Sequence, residues 1–483
     1  MTVLYLLPLL AVMALLVLRK ATLLQAGIVG LLLTVPAAYL TPNAPIDFSS
    51  FLVLETAKGA WLAWLAISVI LASLFFYHTI KAADSELFEQ NSKKVPAFSY
   101  RTLFSVCFLL GPFFESATGF GVGLIITVPF LLRMGISGPA AVLFGLFSQI
   151  LVPWGALAIG TVVGAGIAGI PLAQLGIYSA LLSGPLLAVY LLLFWWYASQ
   201  QGLGANSLQK VDDVLWVGAL FLLLYLCNRF VAVETAGVFS TGVLLVLRFW
   251  RDSRPTLTGW LQVLKLALPY VLLTGILLVT RVVGVVGDFL KGLWNIRPLP
   301  DIPPFPAFYH VSFWLLATAL LYGAGKGITW SRWRLIGRGA ISAAKIPVVV
   351  TLVFVVMAQI MTSAGIAGEL AKSWEGLAGS TLAVLASPVF AAIAGFLTGS
   401  NVASNAMLMP MQTTLSAHSA VSIHWIAAIQ NTAGSNLTML SPIRVAMGCA
   451  LLKTNAEHQI YRLALPMGFA ATGTLVLIAS WLG

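Results

Sequence analysis

Glu115 is a solitary acid in an apolar stretch, with Phe113 and Phe114 before it and the small run Ser116, Ala117, Thr118 and Gly119 after it. A charge in hydrocarbon is costly, so an intramembrane carboxylate faces a cavity, pairs with a cation or accepts hydrogen bonds; facing a cavity, it can carry a proton. The plainer reading is a carboxylate that pins a hairpin by accepting backbone N–H groups, and from the residues alone the two roles weigh about equally. Far along the chain, Thr398, Gly399, Ser400, Asn401, Ser404 and Asn405 crowd into one short segment. They offer hydroxyls, amides and approachable backbone without charge, a set that suits the oxygens of an organic anion, and a half-helix starting there would add its positive end. Singly, Ser and Asn in membrane helices also pack small and bond across helices, so it is their concentration that marks this group.

Arg444, just after Ser441 and Pro442, is the best-placed cation for a carboxylate, which a guanidinium can hold with two parallel bonds. The competing reading is an arginine that snorkels to the cytoplasmic end, since Lys453 follows closely. Arg133, Arg229 and Arg281 read as span-end residues. His78, His310, His418, His424 and His458 are scattered, and Cys107, Cys227 and Cys449 lie apart in apolar sequence without CxxC spacing, so no metal site, disulfide framework or cofactor is expected. No GxSxG, HExxH or Walker pattern occurs in a fitting context, which argues against a membrane hydrolase or an ATP-driven pump. Trp195, Trp196, Trp330 and Trp333 read as an interfacial belt.

The elements that must position these residues are membrane helices. Of 483 residues, 60% are hydrophobic and 8% charged, and the mean hydropathy is +0.97, a balance that excludes a soluble domain. At about 20 residues per span, apolar runs from Val3 to Leu482 predict roughly twelve to fourteen crossings or hairpins in an all-α polytopic fold. The net charge of +11 sits in short loops rather than on one face or arm, so topology explains it better than nucleic acid does. The basic loops Arg248–Lys265 and Lys326–Lys345 belong in the cytoplasm, as does the charged segment Lys81–Lys94, and Asp288–Asp301 belongs outside. Arg19 and Lys20 follow the first apolar run, which fits a retained first helix with an outside N-terminus in a bacterial inner membrane.

First spans are expected over Val3–Leu18, Leu23–Leu40 and Ala60–Ile80. Four breaks then interrupt apolar sequence: GPFFESATGFGVG (111–123, with Gly119 and Gly121), SQILVPWGALAIG (148–160, with Pro153 and Gly155), GFLTGSNVASNAM (395–407) and QNTAGSNLTMLSP (430–442, with Asn431, Thr432 and Ser441). Non-helical backbone at membrane depth survives only where protein buries it or where it lines a watery cavity, and paired interruptions in two halves of a chain point to a transporter's binding site. The order break, apolar stretch, break occurs twice, so two structural repeats are inferred, inverted by loop-charge parity: 1–170 and 339–483, around a middle block 171–338 of ordinary spans. Its loop IRPLPDIPPFP should be extended.

With these residues in view, the chain resembles the lactate permease family of bacterial organic-acid transporters. The resemblance rests on ESATGFG from Glu115, on Val152, Pro153 and Gly155 downstream, on FLTGSNVASNAMLM from Phe396, and on NTAGS from Asn431 with MLSPIRVA from Met439. It implies proton-coupled import of lactate, glycolate and related 2-hydroxymonocarboxylates, inverted repeats with helical hairpins, and an elevator-type motion. It also implies Glu115 as the coupling residue, with Thr398, Gly399, Ser400, Asn405, Asn431, Thr432 and Ser441 lining the substrate region. Two departures stand out: Asn401 replaces an acid of the family pattern, and a lysine is missing near Thr438 while Arg444 is gained. The reading is therefore a secondary active transporter, not an enzyme, importing a small organic anion with a proton. Sodium-coupled uptake of another carboxylate or sulfonate is the alternative, and a passive anion channel comes behind it. Partners are the anion, the coupling ion and the bilayer, with no nucleic acid; a homodimer is left open.

Overall fold

The computed structural model describes residues 2–18, 20–42, 45–84, 99–299, 302–417 and 419–482; the segment Lys81–Lys94 from residue 85 onward, and His418, lie outside them. Among these residues eight helices are long and apolar enough to span: Phe48–Ala83, Leu172–Gln200, Ser207–Phe230, Val233–Ser253, Leu257–Val282, Trp330–Ser363, Thr381–Thr398 and Glu457–Leu482. A ninth is bent by 58° between Gly138–Gln149 and Val152–Ala168, and Leu4–Val17, Leu23–Tyr39, Val122–Arg133 and Val311–Gly325 are shorter apolar helices. The fold is an all-α polytopic one. The third helix starts at Phe48 rather than near Ala60, because Asp47 accepts from the Ser50 N–H as its cap and Glu55 is neutralised inside it by Lys58 at 2.9 Å. Lys326–Lys345 is likewise not all loop, since helix resumes at Trp330 and carries Arg332, Arg334 and Arg338 on its first turns. The boundary expected at 338/339 falls within that helix.

Two hydrophobic cores divide the molecule. One binds the segments 100–198 and 426–479 together with Leu220, Leu224 and Ala236; the other binds the first three helices to Val311–Gly325 and Trp330–Ser363. In the second core the long helices Phe48–Ala83 and Trp330–Ser363 come close at Gly59, where a Cβ would lie 2.7 Å from Val356 Cα. Small residues let helix backbones approach in this way. Phe48–Ala83 also orients the loops around it. Trp61 donates to Pro303 O, while Asp84, beyond its last turn, accepts from Lys326 and Tyr322. The segments expected outside and inside thus meet opposite parts of one helix. Among its described residues the proline-rich loop holds no helix, and its ends pair Asn295–Ile296 with Phe305–Pro306.

The first core holds a re-entrant hairpin. Its inward arm runs Tyr100–Ser105, Val106–Leu110 and Gly111–Thr118; the middle piece is a π-turn in which the Gly111 N–H reaches Val106 O five residues back, just before Pro112, which has no N–H to donate. Gly119, Phe120 and Gly121 all take positive φ (70°, 56° and 84°), and the chain returns as Val122–Arg133. A Cβ on Gly123 would meet Gly111 O at 2.7 Å, which shows how closely the arms lie. A second hairpin joins Thr381–Thr398 to Asn401–Ala417 through Gly399, φ 62°. Each hairpin is followed by a broken helix: Gly138–Ala168, and Ile423–Leu437 continued by Thr438–Leu440 and Pro442–Leu452.

Arg248 anchors the first core near the start of the first hairpin. It is 1% exposed, lies 3.8, 3.9 and 3.3 Å from Asp212, Asp213 and Asp252, and stacks over Phe104. Tyr100 and the half-buried Trp195 donate to buried Asp213. Removing one partner of a buried charge cluster leaves the others uncompensated and costs about 3–5 kcal/mol. Arg248→Ala is expected to lower the unfolding midpoint of detergent-solubilised protein clearly; an unchanged midpoint would show the cluster to be energetically idle.

Candidate functional site

The two hairpin tips and the two helix breaks meet. Gly119 in the first tip abuts Ala156 of the first break, with a built Cβ 2.6 Å from Ala156 Cβ, and Gly121 abuts Arg444 and Met447 beyond the second break. In the second tip, Gly399 abuts Ser441 of the second break (2.8 Å to Oγ), while Asn401 abuts Gly160 beyond the first. Each tip therefore touches both broken helices. At Gly119, Gly121 and Gly399 positive φ and crowding coincide, so these glycines are required twice over.

Glu115 closes the first tip. Its Oε1 accepts from the Gly121 N–H at 3.1 Å and its Oε2 from the Gly123 N–H at 3.2 Å, so the carboxylate lies at the positive end of the returning helix. Its third partner is Arg444 Nη2 at 3.5 Å. Both side chains are largely buried, at 3% and 10% exposure. Arg444 is thus neither snorkelling nor at a span end: Ser441 Oγ caps its helix by accepting the Arg444 N–H, which turns the guanidinium toward the first hairpin. The second tip is closed without charge. Thr398 Oγ accepts from Ser400 N–H, and Ser400 Oγ accepts from Ala403 N–H. The returning helix Asn401–Ala417 therefore has a neutral cap where Val122–Arg133 has an anion.

A buried amide network ties the second tip to both breaks. Thr161 donates its hydroxyl to Pro153 O at 2.5 Å, so its Oγ must accept from Asn431 Nδ2 at 3.0 Å, and Asn431 Nδ2 also meets Ser179 Oγ at 3.0 Å. That orientation leaves Asn431 Oδ1 to accept from both Asn401 Nδ2 (3.0 Å) and Asn405 Nδ2 (2.9 Å). Asn405 Nδ2 also donates to Gly160 O at 3.0 Å. Position 401 must consequently donate, which an amide does and an ionised carboxylate cannot. The outer oxygens Asn401 Oδ1 and Asn405 Oδ1, and Thr432 Oγ1, are buried without partners. Ser404 bonds within its hairpin and across to the helix Ile423–Leu437: its hydroxyl donates to Ala391 O at 3.4 Å and accepts from Gln430 Nε2 at 3.3 Å.

Among the expected residues, Glu115 and Arg444 are brought together, as are Asn401, Asn405 and Asn431, and Gly399 with Ser441. Gly155 lies in the break, extended at φ −60° and ψ 143°, and a Cβ there would lie 3.8 Å from the nearest atom, Glu115 O, so neither positive φ nor crowding requires a glycine at this position. The left-handed residues are Ala156, Leu157 and Ala158, a conformation that sequence does not announce for non-glycine residues. Thr161 and Ser179 were missed; the one available signal was a hydroxyl within an apolar run, which is common in membrane helices and mostly local in meaning. Among the described residues no group of His, Cys, Asp and Glu is placed to hold a metal.

The profile of the L-lactate permease family matches residues 2–295 and 295–467. The chain belongs to that family. It is 25% identical over 458 residues to the L-lactate permease of Escherichia coli K12, covering 84% of this chain and 81% of that one. It is 24% identical to the L-lactate permease of Salmonella typhimurium LT2 (88% and 85% covered) and 22% identical to that of Bacillus subtilis 168 (90% and 88%). Among solved structures, the YdaH transporter of Alcanivorax borkumensis, described as having an unusual topology, superposes with a TM-score of 0.54 at 12% identity over 95% of this chain and 98% of its own. That likeness concerns the fold. The chain is a multi-pass cell-membrane transporter of the L-lactate permease family.

Proposed function

We propose that this protein imports lactate or a related small 2-hydroxymonocarboxylate together with a proton, by alternating access, as a carrier rather than an enzyme. The observation that carries the reading is the meeting of two unlike hairpin tips at two helix breaks. The first tip holds a buried carboxylate, Glu115, against Arg444; the second presents a helix start capped only by Thr398 and Ser400 hydroxyls, next to Ser441. An ionisable group suits proton carriage, and a neutral helix start with hydroxyls and backbone N–H groups suits a carboxylate. The names of the relatives supply the substrate class. Thr398, Gly399, Ser400, Asn401, Ser404, Asn405, Asn431, Thr432, Ser441 and Arg444 form the substrate region in this reading, and Glu115 is the coupling residue. The two separate cores favour one body moving against the other, since Ala117, Ala156, Ala403 and Ala406 of the tips and breaks face the second core with small side chains.

Uptake of labelled lactate into proteoliposomes tests it. Accumulation is expected under an inward proton gradient and not under a sodium gradient alone. Sodium-driven accumulation, or equilibration that ignores both gradients, would overturn proton symport, the first in favour of sodium coupling and the second in favour of a channel.

A further inference from the structure

The side chains of Glu115 and Arg444 come from opposite halves of the chain, 329 positions apart. Glu115 Oε1 serves two donors, the Gly121 N–H and Arg444 Nη2, whereas Oε2 takes the Gly123 N–H. Arg444 is under-bonded for a buried guanidinium. Its bond to Glu115 is long, at 3.5 Å, and its Nε has no partner, although a guanidinium can meet a carboxylate with two parallel N–H donors. A free carboxylate can match it better than Glu115 does, whose oxygens are already turned toward the hairpin backbone.

We propose, resting on the symport reading above, that Glu115 and Arg444 are a proton-for-carboxylate exchange pair. A proton forms an O–H bond at the Oε1 lone pair that faces Arg444, the ion pair parts, and the freed guanidinium binds the substrate carboxylate. The backbone bonds from Gly121 and Gly123 use other lone pairs, so the tip keeps its shape. One proton and one anion enter, leaving neutral Glu115 beside a paired Arg444. On release the proton departs, Glu115 regains its charge and Arg444, and the anion loses its partner. Either ion alone is disfavoured: the proton alone strands a buried guanidinium, and the anion alone sets two carboxylates at one. Coupling is therefore obligatory and one to one. Ser441, which caps the helix of Arg444, abuts Gly399 of the second tip, so the turn that carries the guanidinium reaches both tips.

Other charged groups on neighbouring elements are engaged elsewhere. Glu234 faces Arg281, Arg248 and Arg251 face Asp212, Asp213 and Asp252, and Glu55 faces Lys58. Cys107 donates to Phe144 O. Tyr77, His78 and Lys81 belong to the last turns of Phe48–Ala83, Arg133 ends its own helix, and Lys453 and Glu457 lie beyond the far end of the Arg444 helix. Among the described residues Arg444 is the charged group that meets Glu115.

Calorimetric titration of the full-length protein in detergent with L-lactate, in two buffers of different protonation enthalpy, reads affinity and proton uptake together. Wild type is expected to take up about one proton per lactate, with affinity falling up to about tenfold per unit of rising pH. Glu115→Gln should bind lactate without proton uptake and without pH dependence. Arg444→Gln should lose at least about tenfold in affinity. Arg444→Lys, which keeps the charge and so guards against a folding defect, should bind better than Arg444→Gln and keep its proton uptake. Proton uptake that persists in Glu115→Gln, or wild-type affinity in both Arg444 variants, overturns the pair alone if wild-type uptake into proteoliposomes is proton-driven. Wild-type uptake that ignores the proton gradient overturns the pair and the symport reading together.

Discussion

Replacing Asn431 by Leu is expected to reduce lactate uptake by about 100-fold or more, measured as initial rate per mole of protein reconstituted. Asn431 is fully buried and joins Thr161, Ser179, Asn401 and Asn405. Leucine keeps the volume and removes every bond. Asn401 Nδ2 would then lose its partner outright, while Asn405 Nδ2 would keep Gly160 O. Each buried polar group left unsatisfied costs about 1–3 kcal/mol, and the lost contacts join the second tip to the helix that follows the first break. Two such losses, at Asn401 and at Ser179 Oγ, whose bond is to Asn431, are enough for the stated effect, since each 1.36 kcal/mol is a factor of ten in rate. Asn431→Asp separates geometry from mere polarity. It preserves the acceptor for Asn401 and Asn405 but turns the donor into an acceptor opposite Thr161, whose hydrogen is committed to Pro153 O. Asp is therefore expected to fail as well. Uptake near the wild-type rate in both variants would show that the network does not hold the site.

Gly395→Val is expected to prevent stable assembly rather than to tune transport. Gly395 lies against the backbone of Gly434, so closely that any Cβ would overlap the Gly434 carbonyl. Overpacking a filled core costs about 1–3 kcal/mol where side chains can yield; here both neighbours are backbone, and neither can rotate away. Moving Gly434 is no escape, because a Cβ there would press on Ser404 Oγ of the second hairpin. The expected readout is loss of the monodisperse peak of detergent-solubilised protein, already marked for Gly395→Ala and severe for Val. Gly292→Ala is the matched control: no atom lies within 4 Å of a Cβ built there, so replacing this helical glycine should be neutral or slightly stabilising. A monodisperse Gly395→Val protein with a wild-type unfolding midpoint would mean that the hairpin can leave this helix without penalty.

Much of the site was legible before the fold was seen, and the reason is the bilayer. In a chain where apolar residues are the default, an acid, an arginine and a cluster of amides are conspicuous, because each needs a partner that lipid cannot supply. Glu115, Arg444, Asn401, Asn405 and Asn431 were visible on that ground, and Gly119, Gly121 and Gly399 were visible as punctuation. Thr161 and Ser179 were not, since a hydroxyl in a helix can bond its own backbone and leaves no trace of a longer-range role. Gly155 was legible as part of a break, but the residues that turn left-handed there were not. Proline and glycine two residues apart signal a break, and the left-handed backbone falls just after them on Ala156–Ala158, where the first tip packs against Ala156.

By itself, then, the sequence determined that this is a polytopic membrane protein with four interruptions in apolar helices, and which polar groups those interruptions carry. Hydropathy and the demand for backbone hydrogen bonds act locally, and so are written in local residue order. Only the tertiary structure decided that each hairpin tip touches both broken helices, that Glu115 closes its own hairpin and also meets Arg444, and that one amide at position 431 orients two others. Those pairings join separate elements, some of them hundreds of positions apart, selected by shape and by the need to satisfy every buried donor at once, and no local pattern encodes them.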